Sequence, residues 1–307
     1  MEEKDIAISV KNLTKDYGKG RGIFDVSFDV PRGCVFGYCG TNGSGKTTTL
    51  RHIMGFIKPD SGSVTVNGLD SLKDSDEIKK FIGYLPGEIA FPAVANGSEF
   101  LKIQAEMINM TDFAKAERLI NSFQLDPTAN VKRMSKGMKQ KTALVAAFMH
   151  SPDIIILDEP TTGLDPLMRE VFVNLIKEEK ARGATIIMSN HMFDELEETC
   201  DKVAFIKNGR IVDIVDLNEM HNRPYREFII EFGNVDDYEK VKEQSAQFVL
   251  KTDDAHLTLN IKVDLAKANA AAEYLSTVEI KSFKEKQYTL ETYFMEEIGG
   301  KEDGTNN

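Results

Sequence analysis

The sequence predicts an α/β fold: a mainly parallel sheet with flanking helices, an antiparallel strand pair in front of it and a small α+β unit behind. Three observations carry this. The stretch Gly40-Thr41-Asn42-Gly43-Ser44-Gly45-Lys46-Thr47 sets two glycines five residues apart ahead of Lys and Thr, the spacing of a phosphate-binding loop between a strand and a helix. Two continuous apolar runs, Ile154-Ile155-Ile156-Leu157 and Ala184-Thr185-Ile186-Ile187-Met188, suit strands buried on both faces, and the stretch between them is long enough for a helix. Beyond residue 225 the pattern changes to β-α-β-β-α-β, the order of a ferredoxin-like split unit.

Taken in order, residues 6–10 and 23–30 alternate apolar and polar side chains like half-exposed strands, with a Gly-rich turn between them. Tyr17 lies just before that turn; taken alone, it is a strand-end packing aromatic. Val35-Phe36-Gly37-Tyr38 is a short buried strand leading into the phosphate loop, and a helix begins at Thr47. Ser63 to Gly68 is a strand ending in an Asn-Gly turn, and Phe81 to Pro86 a buried strand closed by proline. Residues 98–124 carry helical periodicity, a helical insert between strands of the sheet. Ser135 is placed as N-cap of a helix that continues from Lys139 to about His150. A helix from about Leu167 to Arg182 and a hairpin over 203–215, turning at Asn208-Gly209, complete this domain. In the second unit the expected order is strand 226–232, helix 236–245, strands 247–251 and 256–263, helix 265–275, strand 278–283 and a terminal helix near 289–298. The expected domains are 1–220, with a helical subdomain at about 89–150, then 221–300, then a disordered polar tail at 301–307.

Composition sets outer limits. The 307 residues suffice for one large α/β domain or for two domains, and 41% hydrophobic with 28% charged residues is globular usage. A net charge of −11 argues against an extended nucleic-acid surface. Cys34, Cys39 and Cys200 lack metal-ligand spacing and suit buried thiols of a reducing compartment. Met1-Glu2-Glu3-Lys4-Asp5 has neither the basic region nor the apolar core of a secretion signal. The most apolar run, Ala143 to Met149, is too short to span a bilayer, so the chain is expected in the cytoplasm unless something else holds it at a membrane.

The chemistry of the motifs points to a nucleoside triphosphate. Glycines admit positive φ and bring backbone N–H groups close to phosphate oxygens, while the following helix contributes the positive end of its dipole. Lys46 is placed to reach the β- and γ-phosphates, and the Thr47 hydroxyl to ligate the Mg²⁺ that bridges them. Asp158, after four apolar residues, suits a Mg²⁺ ligand acting directly or through water, and Glu159 beside it suits a general base for water attacking the γ-phosphate. No Asn-Lys-x-Asp guanine-reading motif accompanies them.

With these residues in place the chain resembles the ATP-binding subunits of ABC transporters over about residues 6–220, which implies a P-loop ABC ATPase core with an antiparallel β subdomain. Gly40 to Thr47, with Thr48, corresponds to the Walker A loop. Met134-Ser135-Lys136-Gly137-Met138-Lys139-Gln140 resembles the family signature, and Ile154 to Glu159 the Walker B strand with its catalytic glutamate. Gly163-Leu164-Asp165 resembles the D-loop, and His191 the switch histidine that contacts γ-phosphate. Tyr17 falls where the family stacks an aromatic on adenine. In two places the sequence departs from the pattern. Lys136 and Gly137 stand for the first two signature glycines, so Ser135 and Gly137 carry over as phosphate contacts. Pro86-Gly87-Glu88 replaces the Q-loop glutamine, which puts Glu88 where a carboxylate would approach Mg²⁺ through water.

The resemblance implies an ATPase using ATP and Mg²⁺, dimerising head to tail with a second ATP-binding subunit so that each nucleotide lies between one phosphate loop and the other signature. It further implies a separate transmembrane permease, a place on the cytoplasmic side of a bacterial membrane, and an exporter-type system for drugs, peptides or ions. A rival is a soluble ABC-type ATPase acting on nucleic acid or ribosomes. Such proteins carry two cassettes or a long coiled-coil insert, and this chain has one cassette and a short insert. A third reading makes residues 223–300 a regulatory or dimerising module.

Overall fold

The computed structural model describes residues 5–244 and 248–299. The chain divides into two compact units, Met1–Leu217 and Asn218–Asn307. The expected tail at 301–307 lies outside the described residues.

The first unit runs β1 (Ile6–Asp16), β2 (Gly22–Pro31), β3 (Val35–Cys39), α1 (Lys46–Ile53), β4 (Ser61–Val66), β5 (Leu69–Asp70), α2 (Ser75–Ile78), β6 (Ile82–Leu85) and α3 (Gly97–Met107). It continues with α4 (Ala114–Ser122), α5 (Lys136–Phe148), β7 (Ile154–Asp158), α6 (Pro166–Ala181), β8 (Thr185–Asn190), α7 (Phe193–Thr199), β9 (Lys202–Lys207) and β10 (Arg210–Asp216). The front sheet is antiparallel, in the order β2-β1-β4-β5. Its tightest turn is Asn67-Gly68, with φ of 50° and 82°, the paired left-handed residues that a two-residue hairpin requires.

The second sheet positions the site. Its order is β10-β9-β3-β8-β7-β6; β6, β7, β8, β3 and β9 are parallel, and β10 is antiparallel to β9. Every residue of β3, β7 and β8 is buried, as continuous apolar runs demand in a sheet covered on both faces. The helices press close. A Cβ on Gly83 in β6 would stand 2.0 Å from the Ala147 carbonyl of α5. Because these strands share one direction, Gly40, Pro86, Glu159 and His191 all leave the sheet at the same edge, where ligands of open α/β folds bind.

The expected insert at 98–124 holds two helices, α3 and α4. Asn96 caps α3 by accepting from Glu99 N at 2.9 Å, and the Glu99 carboxylate reaches back to Ala95 N at 2.6 Å, a reciprocal capping arrangement. Arg118 of α4 makes paired hydrogen bonds of 2.7 and 2.6 Å to Glu178 of α6, and Lys115 meets the buried Glu179 at 2.5 Å. Helix α7 escapes the sequence pattern because Asp194, Glu195, Glu197 and Glu198 crowd it, yet Glu195, Leu196 and Thr199 are its buried face.

After α8 (Leu217–His221), the second unit runs β11 (Tyr225–Phe232), α9 (Val235–Gln244), β12 (Val249–Asp253), β13 (Thr258–Asp264), α10 (Ala268–Leu275), β14 (Ile280–Lys286) and α11 (Leu290–Tyr293). Its sheet has the order β12-β13-β11-β14 with each neighbouring pair antiparallel. Numbered within the unit, this is 2-3-1-4, which a split β-α-β pair produces when both crossovers lie on one face. Ile230, Phe232, Tyr238, Val241, Leu259 and Ile261 form its core. The terminal helix expected at 289–298 is instead one α turn capped by Thr289, passing into π-helical backbone at Phe294–Gly299.

All three cysteines are buried thiols. Burial pushes the thiols of Cys34 and Cys39 up to about 12, and that of Cys200 higher still. Burial also lowers His52 and His150 below the usual value of 6.5. The unfolded chain therefore binds more protons as pH falls through about 6.5, so the stability that neutral histidines permit is present above that value and lost below it. Melting curves from about pH 7.5 to 5.5 are expected to show a falling Tm, and replacing both residues by Gln should flatten the fall.

Candidate nucleotide site

The phosphate loop is shaped by what a side chain would strike. Gly43 and Gly45 have φ of 82° and 113°, and Cβ atoms added at Gly40 and Gly45 would lie 2.4 Å from the Ile206 carbonyl oxygen and 2.6 Å from Ile23 Cγ2. The backbone can thus turn its N–H groups outward only with glycine at these places. Lys46 opens α1 and is buried; its Nζ donates to the carbonyls of Gly40 at 2.7 Å and Thr41 at 3.2 Å. The same ammonium stands 3.6 Å from Glu159 Oε1.

Two carboxylates end β7. Asp158 is 1% exposed and pairs in register with Ser189 of β8, whose hydroxyl donates to Asp158 Oδ1 at 2.5 Å. The other oxygen, Oδ2, is buried without a hydrogen-bond partner. It faces Gly87, where an added Cβ would come within 2.9 Å of it. A buried, unpaired carboxylate oxygen beside the cleft that holds Thr47 fits a hard divalent cation such as Mg²⁺. Glu159 has φ 50°, uncommon for a side-chain-bearing residue. Its N–H is fastened to the Ser189 carbonyl at 3.2 Å and the Ser189 hydroxyl at 3.0 Å.

These groups line one cleft of about 430 Å³ together with Tyr17, Arg21, Gly22, Asn42, Gly43, Gly45, Thr47, Thr48, Arg51, Gly87 and Glu88. Gly40, Thr41 and Ser44 shape the loop without lining the cleft. Tyr17 is half exposed at its rim, not packed as an isolated strand-end aromatic would be. Arg21 and Arg51 were not anticipated. Arg51 lies four residues after Thr47 on α1, one turn along the same face, a spacing legible in the sequence; Arg21 had no such signal.

Ser135, Lys136, Gly137, Met138, Asp165 and His191 do not line this cleft. The Ser135 hydroxyl caps α5 by accepting from Met138 N at 3.2 Å, which leaves its own proton for an outside acceptor. The start of α5 carries Lys136 and no acidic residue in its first turn. Asp165 caps α6, accepting from Met168 N at 3.0 Å. His191 is exposed, its backbone N–H held by Asn190 Oδ1 at 2.7 Å. Asn190 Nδ2 and the Thr161 hydroxyl both donate to Glu195 Oε2, at 2.6 and 2.7 Å, so α7 braces the ends of β7 and β8. Neither Asn190 nor Glu195 belongs to a pattern that flags it in the sequence.

A glycine-lined anion loop, a buried lysine and two carboxylates at the end of a parallel sheet define a P-loop nucleoside triphosphatase. Comparison with known proteins narrows the class. A family profile described as ABC transporter matches residues 23–162. The chain is 34% identical to the bacitracin transport ATP-binding protein BcrA of Bacillus licheniformis, covering 72% of this chain and 74% of that protein. It is 31% identical to the uncharacterized ABC transporter ATP-binding protein YhcH of Bacillus subtilis (strain 168), covering 95% and 96%. A solved structure of an ATP-binding subunit of an ABC transporter superposes with a TM-score of 0.64 at 32% identity, covering 70% of this chain and 92% of that one. The chain belongs to the ABC transporter ATP-binding proteins: it is an ATP-binding and ATP-hydrolysing subunit of a transport system. Among the described residues no helix is long and apolar enough to cross a membrane.

The crowding at Gly87 offers a direct test. Gly87→Ala should press on Asp158 Oδ2 and raise the Mg²⁺ concentration for half-maximal turnover by roughly tenfold or more, as disturbed outer-shell residues do. Binding of ATP in the presence of a chelator should be unchanged.

Proposed function

We propose that two copies of this chain, or this chain and a close paralogue, close head to tail around ATP, and that closing and opening drive export through a separate transmembrane permease. The observation that carries this is the division of the phosphate-binding groups. Lys46, Thr47, Gly43 and Gly45 line the cleft, whereas Ser135 and Gly137 at the anion-ready start of α5 do not. A second copy brings those groups to the open side of the nucleotide.

Each residue then has a chemical role. Tyr17 stacks on the base, and the N–H groups of Asn42 to Thr48 with Lys46 hold the phosphates. Thr47 and Asp158 hold Mg²⁺, with Glu88 approaching through water; the ion, when bound, neutralises phosphate charge. Glu159 accepts the proton of the attacking water. Its left-handed backbone, clamped by Ser189, aims that carboxylate. His191 donates to the γ-phosphate from the end of β8. The partner's Ser135 hydroxyl and Gly137 N–H complete the anion shell, and Asp165 lies at the same interface. Hydrolysis removes the charge that joins the halves, and ATP shifts the equilibrium only by its greater affinity for the closed state.

The permease supplies the membrane path and places the chain at the cytoplasmic face of a bacterial membrane. Likeness to a bacitracin transport protein supports the exporter class, within which drugs, peptides or ions are the candidate cargoes. Asn218–Asn307, compact by itself, serves as an accessory domain outside the motor.

Glu159→Gln is expected to bind ATP, to lose turnover on the order of 10²–10⁴-fold and to accumulate as an ATP-bound dimer in size-exclusion chromatography. Unchanged turnover would remove Glu159 from the role of base. A chain ending at residue 222 should retain ATP hydrolysis within about twofold, as a self-contained domain does; loss of nucleotide-dependent dimerisation in it would make the second unit part of the motor.

A further inference from the structure

Gln140 sits in the second turn of α5, one turn beyond Gly137, and is buried. Its side-chain amide donates to the Pro160 carbonyl at 2.7 Å and to the Glu159 carbonyl at 3.3 Å. Those two carbonyls belong to the turn that holds the Glu159 backbone at a φ of 50°, a conformation that persists only where the surroundings over-determine it. Ser189 secures the N–H of that residue, and Thr162 N donates to its carbonyl at 3.2 Å. Gln140 adds a tether from a different element, the helix that Ser135 caps and that carries Gly137 in its first turn.

A second contact fastens the same two pieces. A Cβ on Gly137 would lie 2.7 Å from the Gly163 carbonyl oxygen, and Gly163, at φ 84°, would set its own added Cβ 3.1 Å from Lys136 Cγ. The start of α5 and the segment from Asp158 to Asp165 therefore touch at both ends of the turn, backbone against backbone at one end and through the buried amide at the other.

We propose that Gln140 is a positioning residue that locks the Glu159 turn to the signature helix of the same chain, so that the two ATP sites of a dimer report on one another. The physical basis is the opposite assignment of the two tethered parts. Glu159 serves the nucleotide in its own cleft, while Ser135 and Gly137 serve the nucleotide of the other copy. Contact between α5 and a foreign phosphate shifts the helix start, and the amide passes that shift to the carbonyls of Glu159 and Pro160. Coupling then runs through a contiguous contact of stated atoms. The proposal rests on the reading of Glu159 as base and of Ser135 and Gly137 as groups acting in trans.

The test compares Gln140→Met, of similar volume without a donor, with Gln140→Glu in the full chain. The Met variant takes the amide donor from the buried Pro160 carbonyl and is expected to lower Tm by a few degrees while keeping its Kd for ATP. Turnover should fall through kcat at constant KM by about 10- to 100-fold, the scale of a displacement of about 1 Å in a reacting group. The Hill coefficient for ATP should drop toward 1. In Gln140→Glu the buried carboxyl faces two carbonyl oxygens, which hold its proton above the usual carboxylate range, so the acid form donates as the amide does. Turnover relative to the unaltered chain should then be highest near about pH 6 and decline toward about pH 8.5, as that proton is lost. A purely structural role lowers Tm while leaving kcat and the Hill coefficient of the folded variant unchanged, and gives no such pH profile. Wild-type kcat and Hill coefficient in Gln140→Met overturn the proposal; if that variant does not fold, a flat relative pH profile in Gln140→Glu overturns it. Glu159→Gln separates the two layers: lost turnover there with an unaffected Gln140→Met defeats the tether alone, and retained turnover defeats both.

Discussion

The hydrogen bond from the Ser189 hydroxyl to Asp158 is the interaction on which the site depends. It joins the ends of adjacent parallel strands in register, satisfies one oxygen of a buried carboxylate and leaves the other unpaired toward Gly87. The same hydroxyl receives the N–H of Glu159 and so helps to impose a backbone conformation that the residue would not choose alone. One serine thus orients a carboxylate suited to a cation and a neighbour suited to a base. Without it the buried charge would lose its compensating donor, and an uncompensated buried carboxylate is costly.

The sheet surrounding this pair shows why parallel strands suit such chemistry. Their shared direction delivers a glycine loop, a carboxylate pair and a histidine to one edge from sequence positions far apart. The helices do the rest. Glu195 of α7 receives hydrogen bonds from Thr161 and Asn190, and Arg118 and Lys115 join α4 to α6. The half-exposed Arg118 pair contributes little by itself, since exposed ion pairs typically amount to about 0–1 kcal/mol. Lys115 and Glu179 differ, because the Glu179 carboxylate is buried and is paired twice, by Lys115 at 2.5 Å and by Arg182 Nε at 2.9 Å, so removing Glu179 takes the partner from both cations.

What the sequence discloses follows from how each signal is encoded. The phosphate loop, the strands over 154–158 and 185–190 and the split α+β order are legible because continuous apolar runs and fixed glycine spacings are local. Ser135 as a cap is legible for the same reason. Helix α7 is not, because its acidic residues conceal a buried face that exists to brace strand ends. Gln140 ends the stretch that resembles the signature, but its role is not legible there. Its value comes from two carbonyls nineteen and twenty residues away, and an amide on a helix carries no mark of such partners. The π-helical backbone at Phe294–Gly299 likewise has no local signature.

The charge at the start of α5 has a consequence for assembly. Lys136 occupies the first turn without a compensating acid, at the end of the helix where the backbone dipole is already positive. Like charge there costs roughly 0.3–1 kcal/mol at low ionic strength. The start of α5 is therefore electrostatically frustrated by itself and relaxes when an anion arrives from outside. Polyanions in the medium would compete for that relief, and under the proposed head-to-tail arrangement a higher salt concentration would blunt the advantage of triphosphate over diphosphate.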